Sequence, residues 1–374
     1  MPPLHSSPEK RNKTDLREVD ALFREAGLVR SRRTPAAKTA RPVRLDRAMP
    51  DELVIPAPDP LIAPNGVPLL QISEWKNLPW LWHGFSTRKG GVSRAYCAEG
   101  APGELNLGFT AHDDRDFVIT NRRLLAEAVS GNPTTQLFTV RQFHSNLVVA
   151  APARKPERAL KNEVSGERSS PPVCKGDGLI TAEPGLLLAI QTADCIPVLV
   201  ADRKQHVVAA FHAGWRGTVQ RIVESGVGKM RLEFGSRPQD LIAAIGPGIG
   251  PCCYAIGEEV LSAFESQFTY GRELFHEVYD TDAVRLKYPM LFLTQRAPGH
   301  SSIGPSLHLD LIEANRRQLR DGGVKSDAIH VVGGCTGCRP DLFFSHRASQ
   351  GHAGRMMSVI GVRPRSSSGN RKMK

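Results

Sequence analysis

The sequence predicts an α+β fold: a single domain of mixed, largely antiparallel sheets flanked by helices. Three observations lead there. Four short β-rich runs follow in close order: GLITAE (178–183), LLLAIQT (186–192), PVLVAD (197–202) and HVVAAFHA (206–213). The gaps between most of them are too short for crossover helices, which makes antiparallel pairing the expectation. Helical periodicity appears at irregular intervals around these runs, and no internal repeat is present, so a doubly wound parallel sheet is disfavoured.

Taken in order, residues 14–29 (TDLREVDALFREAGLV) place Leu16, Val19, Leu22 and Phe23 at helical spacing. The rest of the first 50 residues is rich in Arg, Pro and Ala. Residues 56–68 carry five prolines and read as an extended lead-in. LWHGFSTRKGGVS (81–93) predicts a strand and then a turn at Gly90 and Gly91. Residues 116–131 predict a helix stopped by Gly131, and 136–151 a strand, a turn and a strand. Residues 153–175 are polar and form an expected surface insertion. After the four β runs come a helix from about Thr218 to Phe234, a strand in DLIAAIGP (240–247), and helices over Glu258–Phe268 and Pro305–Asp321. AIHVVGG (328–334) and RMMSVIGV (355–362) close the sheet. The expected division is a basic, mostly disordered extension over 1–68, one catalytic domain over 69–362, and a basic tail over 363–374.

Charge supports that division. Residues 1–50 hold 12 basic and 6 acidic residues, and 363–374 hold 5 basic and none acidic. Of 49 basic and 38 acidic residues in all, this leaves 32 of each in the body, which is therefore not a nucleic-acid-binding surface by charge. No apolar run is long enough to span a membrane, and the N-terminus has no apolar signal segment. A cytoplasmic protein is expected. Seven cysteines in a chain of 374 residues suggest thiols or metal ligands in a reducing compartment rather than a disulfide scaffold.

His144, Cys195 and His212 each stand at the end of an apolar β run. Alone, each has an ordinary structural reading: a hydrogen-bonded histidine, a small core thiol. Asp194 and Pro197 flank Cys195 and mark a strand end. His212 opens a glycine-bounded turn, AGWRG (213–217), that launches a helix whose N-terminus is an anion site by its dipole. If the three converge, one thiolate and two imidazoles suit Zn²⁺ or a copper ion, with the fourth tetrahedral position open, as in catalytic sites. CTGC (335–338) is a familiar metal pattern, but no second pair stands at ribbon spacing. Cys252 and Cys253 are adjacent and diverge if extended. Both pairs are therefore read as structural thiols.

These residues sit within ordered motifs: HGFSTRKGGVS, LNLG (105–108), GDGLIT (176–181), TADCIPVLVAD, FHAGWRGT, AIGPGIGPCCYAIGEEV and DLFFSHRASQGHAGRMMSVIG. Together they resemble the YfiH-type laccase-domain family, long named multicopper polyphenol oxidases and later described as zinc-dependent purine nucleoside phosphorylases with adenosine deaminase activity. The resemblance spans about Trp82 to Val362. It implies metal ligation by His144, Cys195 and His212, a place for Arg88 near the pocket, and a mixed α/β sandwich similar to that of glutamine-deamidating bacterial toxins. The chain departs from the pattern at Ser145, where the family commonly has Gly, and at His346, where it commonly has Tyr.

The resemblance implies phosphorolysis of adenosine, inosine or methylthioadenosine to base and ribose 1-phosphate, and deamination of adenosine to inosine. Zinc lowers the pKa of bound water to about 7, which suits deamination. Phosphate needs cations or backbone donors, for which Arg88, Arg216 and the 213–217 turn are candidates. Asp194 is a candidate base or ligand-orienting group. Trp215 offers a stacking face or packs beneath the turn. Asp177 and Asn106 are candidate substrate contacts that also suit ordinary turns. His83 and His346 are candidate proton shuttles. Two alternatives stand: a metal-independent hydrolase with Cys195 as nucleophile and His212 as base, and a copper phenol oxidase, disfavoured because no H-x-H motif occurs. The partners expected are nucleosides and phosphate, with no nucleic acid required and no membrane; oligomeric state is left open.

Overall fold

A computed structural model describes residues 55–151, 174–279 and 305–365, all within one compact unit. The helix expected at 14–29, most of the 153–175 insertion and the tail from 366 lie outside the described residues. The strands are β1 (Leu61–Ile62), β2 (Pro68–Leu70), β3 (Leu81–Ser86), β4 (Lys89–Ser93), β5 (Gln136–Phe138), β6 (Val148–Ala150), β7 (Gly178–Thr181), β8 (Leu186–Thr192), β9 (Ile196–Asp202) and β10 (Val208–Ala213). They continue as β11 (Leu241–Ile245), β12 (Ala255–Ile256), β13 (Phe275–Val278), β14 (Ser306–Leu309), β15 (Ile329–Val331) and β16 (Met356–Val362). The helices are α1 (Arg115–Ser130), α2 (Trp215–Val219), α3 (Ile222–Phe234), α4 (Glu258–Gln267) and α5 (Leu311–Asp321).

Two six-stranded sheets face each other, ordered β1-β2-β3-β16-β8-β5 and β15-β11-β9-β10-β7-β6, beside a small sheet β12-β14-β13. Pairing is mostly antiparallel; β5–β8, β6–β7 and β11–β15 are parallel. Strand alternation builds four layers. Leu188 and Ile190 of β8, Leu199 and Ala201 of β9, and Val208 and Ala210 of β10 fill the space between the sheets. Val198, Val200, Ala209 and Phe211 turn outward onto α3, α4 and α5. Leu187, Ala189, Met357 and Val359 turn the other way onto α1, where Leu125 meets them. Because both faces of each central strand are covered, these strands read as continuous apolar runs. Each fully buried Leu, Ile or Val contributes about 1.5–3 kcal/mol.

The mixed, largely antiparallel α+β class and most of the elements are as expected, with five differences. The domain begins before residue 69: residues 55–68, expected in the extension, belong to the fold, with β1 and β2 at the edge of the first sheet and Val67 buried. The four β runs do not share a sheet: β8 belongs to the first, β7, β9 and β10 to the second, and β15 and β16 close different sheets. Gly90 and Gly91 lie in β4, not in a turn. A Cβ on Gly91 would stand 2.5 Å from the Leu105 Cα, so the glycine serves a close backbone crossing. The helix expected from Thr218 is two, a single turn (α2) and α3, broken at Arg221 with φ 60°. Such a short α2 has little dipole, which removes the anion site argued from it. Residues 306–309 are strand, and α5 starts only after Asp310, whose carboxylate accepts the Glu313 N–H at 2.9 Å. The expected helix read through that cap.

Candidate functional site

β9 and β10 pair antiparallel with His212 opposite Pro197. Cys195 therefore enters the sheet where His212 leaves it, and their 17-residue spacing is the length of a hairpin. β7 lies on the other side of β10, with Gly178 opposite Phe211, which sets Asp177 beside His212. β6 runs parallel to β7, so the loop that precedes it, carrying His144, arrives at the same end. One ligand atom from each of His144, Cys195 and His212 lies within 4.8 Å of the others. Cys195 Sγ is 3.8 Å from His144 Nε2, and the two imidazole rings are 5.0 Å apart between centroids.

The buried carboxylate of Asp177 organises this group. It accepts His212 Nδ1–H at 2.8 Å, the Ser145 N–H and Oγ–H at 2.7 Å each, the His144 N–H at 3.0 Å and the Phe143 N–H at 3.2 Å. These bonds hold His144 at φ 65°, a left-handed conformation that a non-glycine residue keeps only when its surroundings impose it. Burial opposes ionisation of Asp177, but the bonds from His212 and Ser145 hold it far below the usual carboxylate range. Ser145 thus takes part in the support. Burial raises a thiol, yet the charge on His212 and the hydrogen bond to His144 bring Cys195 down to about 6. Burial lowers His212, but the Cys195 sulfur and Asp177 raise it to about 9. A Cβ on Gly214 would come within 2.9 Å of Cys195 Sγ and 3.0 Å of His144 Cδ2, so the glycine admits both side chains.

Asp194 precedes Cys195 at φ 92°. Its carboxylate accepts the Thr336 hydroxyl at 2.7 Å and the Arg347 N–H at 2.6 Å, and its carbonyl accepts the Ile249 N–H at 2.8 Å. It ties three loops to the Cys195 turn. Arg88 bonds the Pro340 carbonyl and pairs with Glu104 at 2.6 Å, its guanidinium 4.7 Å from the Phe344 ring centroid. Asn106 is fully buried and bonds Gly108, Asp113 and the Arg355 N–H. Arg216 is exposed and lies over the half-buried Trp215 ring at 4.4 Å. His83 is buried and its Nε2 accepts the Ile72 N–H at 2.9 Å; His346 is exposed.

Several contributors carried no signal in the sequence. Gln142 bonds both backbone groups of Gln191 at 2.8 Å and ties the His144 loop to the end of β8. Tyr254 feels the charges of Cys195, Arg347, Asp194 and Arg216, and burial with the Cys195 thiolate raises its hydroxyl pKa. Arg347, its guanidinium 5.2 Å from the Tyr254 centroid, is a second cation in that neighbourhood beside Arg216. The expected divergence of Cys252 and Cys253 is overturned: their sulfurs and those of Cys335 and Cys338, all read as structural thiols, lie within 4.8 Å of one another.

The sequence model of the family described as "Multi-copper polyphenol oxidoreductase laccase" matches residues 82–363. A Bacteroides thetaiotaomicron protein named "Purine nucleoside phosphorylase" is 33% identical over 77% of this chain and 93% of its own length. One of the same name from Deinococcus radiodurans is 36% identical over 79% of this chain and 94% of its own. The crystal structure titled hypothetical protein YfiH from Bacillus licheniformis superposes with a TM-score of 0.60 at 30% identity, covering 79% of this chain and 96% of that one.

Proposed function

Because the chain belongs to the multi-copper polyphenol oxidoreductase laccase family, and relatives aligned over most of it bear the name purine nucleoside phosphorylase, we propose that it is a zinc-dependent purine nucleoside phosphorylase that also deaminates adenosine. The observation that carries this reading is the convergence of His144, Cys195 and His212, with Asp177 fixing His212 from behind. The donor set fits a zinc ion: one low-pKa thiol and two imidazoles, the buried one oriented by a carboxylate. When bound by His144, Cys195 and His212, zinc would supply Lewis acidity.

The chain's own groups supply the rest. Asp177 accepts from Nδ1 and so leaves Nε2 of His212 for the ion. Asp194 positions the Cys195 turn through Thr336 and Arg347. Arg216 and Arg347 present positive charge to phosphate, which attacks C1′ as the C1′–N9 bond breaks and its electron pair leaves with the purine. Arg216 covers one face of Trp215, so a purine stacks there only when the guanidinium swings aside. Arg88 and Asn106 act by holding the surrounding loops. Residues 55–365 contain all these side chains together with β1, β2 and the buried Val67 and carry the activity, and the basic segments outside them, 1–54 and 366–374, are dispensable for turnover. Among the described residues no helix is long and apolar enough to cross a membrane, in keeping with a proposed cytoplasmic site of action.

A second reading rests on a specific observation: Cys195, His212 and Asp177 also form the line of a thiol nucleophile, its base and an orienting carboxylate. One experiment separates the two. Incubate the purified protein with adenosine, with and without phosphate, before and after chelation, beside Cys195→Ala, and resolve the products by chromatography. Phosphate-dependent adenine and phosphate-independent inosine, both lost on chelation and in the variant, support the proposal. Full activity after chelation, abolished by iodoacetamide, favours the hydrolase. No turnover of adenosine, inosine or methylthioadenosine overturns the proposal.

A further inference from the structure

The loops that support the active site end in a second cluster of ligands. Cys252 and Cys253 follow β11, and Cys335 and Cys338 follow β15, its parallel neighbour. A parallel bridge between Gly248 and Cys335 extends that pairing and brings the loops side by side. Adjacent cysteines diverge in an extended chain, but residues 251–253 form a turn, closed by the Cys253 and Tyr254 N–H groups on the Gly250 carbonyl at 3.0 Å each. Both sulfurs then reach the same point. Cys338 Sγ is 3.4 Å from Cys252 Sγ and 3.4 Å from Cys253 Sγ. All four sulfurs fall within 4.8 Å of each other, and all four cysteines are free.

We propose that Cys252, Cys253, Cys335 and Cys338 form a closed structural zinc site, distinct from the His144/Cys195/His212 set. Sulfurs at tetrahedral corners with Zn–S bonds of about 2.3 Å stand about 3.8 Å apart, within the spread observed here. A disulfide brings two sulfurs to about 2.05 Å and would leave the other two without a role. The spread also leaves room for one ion and not for a cluster of several metals. The backbone is shaped for it: the Gly250 N–H donates to Cys335 Sγ at 3.2 Å, as N–H groups do around zinc thiolates. A side chain at Gly337 would place Cβ 2.8 Å from the Cys253 Cβ, so the glycine of CTGC lets the second loop close on the first. Four thiolates bind as their protons leave to solvent, and no position stays open for a substrate.

The site has a mechanical consequence. Thr336, between two of the ligands, donates to Asp194, and Ile249, three residues before Cys252, donates to the Asp194 carbonyl. The ion staples together the two loops that hold the strained Asp194 next to Cys195.

Metal analysis of the purified full-length protein tests this. Cys253 and Cys338 are the more exposed ligands, so Cys253→Ser/Cys338→Ser removes half the set with little loss of packing. The variant is expected to hold one zinc per chain fewer than the wild type, whatever the His144/Cys195/His212 set binds. A second measurement does not depend on that variant folding. Cys195→Ala loaded with Co²⁺ is expected to show the intense visible and near-ultraviolet bands of a tetrathiolate site. Equal zinc in wild type and double variant, or absence of those bands, or disulfides among the four cysteines on mass mapping, overturns the proposal.

Discussion

Asp177 accepts the His212 Nδ1 hydrogen at 2.8 Å while its two oxygens take the backbone N–H groups of Phe143, His144 and Ser145. One carboxylate therefore sets the tautomer of the His212 imidazole and the backbone that presents His144. Asp177→Asn keeps the shape but offers a donor where an acceptor is needed. It is expected to weaken zinc binding by roughly 10–100-fold, the usual effect of losing such support. Competition with a chromophoric chelator measures it. Zinc affinity within threefold of wild type would show that the carboxylate does not orient the site.

Gly214 gives a cleaner separation of site from fold. A methyl group there meets Cys195 Sγ and the His144 ring and little else. Gly214→Ala is expected to cut turnover at least tenfold and lower zinc content, with circular dichroism unchanged. Full activity would mean that the two ligands can part without cost.

The sheets were legible because strands covered on both faces show as branched apolar runs, and the helices because α1 and α4 have polar and apolar sides. What stayed hidden is long-range. GDG reads as a turn, and no local pattern says that Asp177 serves residues 32–35 positions away on both sides. The four-cysteine cluster was hidden for the same reason: its halves lie about 85 residues apart and meet only through the parallel pairing of β11 and β15. The partition of β7–β10 between two sheets was hidden too, since an apolar run does not say which sheet it joins. The Asp310 cap was misread because leucines continue across it in both the strand and the helix.

His83 predicts a pH dependence of stability. Its Nε2 accepts the Ile72 N–H and its ring stands 4.9 Å from that of Trp75, so only the neutral form fits. Burial, with the charge of Lys76, lowers it to about 4. The unfolded chain takes up this proton near pH 6.5, the folded chain only near 4. Stability is therefore full above 6.5 and falls as pH drops through that window, by on the order of 3 kcal/mol in total. Urea unfolding of wild type and His83→Gln at several pH values isolates the contribution: the difference between the two should shrink steadily from pH 7 to 4. Parallel curves would assign the acid sensitivity to other groups.

Arg216 and Arg347 predict how phosphate is held. Both charges act on Tyr254, as does Cys195, so they share the neighbourhood of the His144/Cys195/His212 set. They differ in what else they do. Arg216 is exposed and stacks on Trp215, with no carboxylate partner among the described residues, whereas Arg347 also bonds the Ala255 carbonyl and lends its N–H to Asp194. A charge-assisted bond to an anion contributes about 1.5–3 kcal/mol. Arg216→Ala should therefore raise the KM for phosphate by roughly 10–100-fold. Inosine formation, which uses no phosphate, should change little. Arg347→Ala removes a guanidinium but keeps the N–H that bonds Asp194, so it too should act mainly on phosphate, with a smaller loss of stability from the Ala255 contact. Steady-state kinetics with varied phosphate and fixed adenosine reads both variants. An unchanged phosphate KM in each, with turnover intact, would place the anion elsewhere in the pocket and leave the stacked Arg216–Trp215 pair as surface packing.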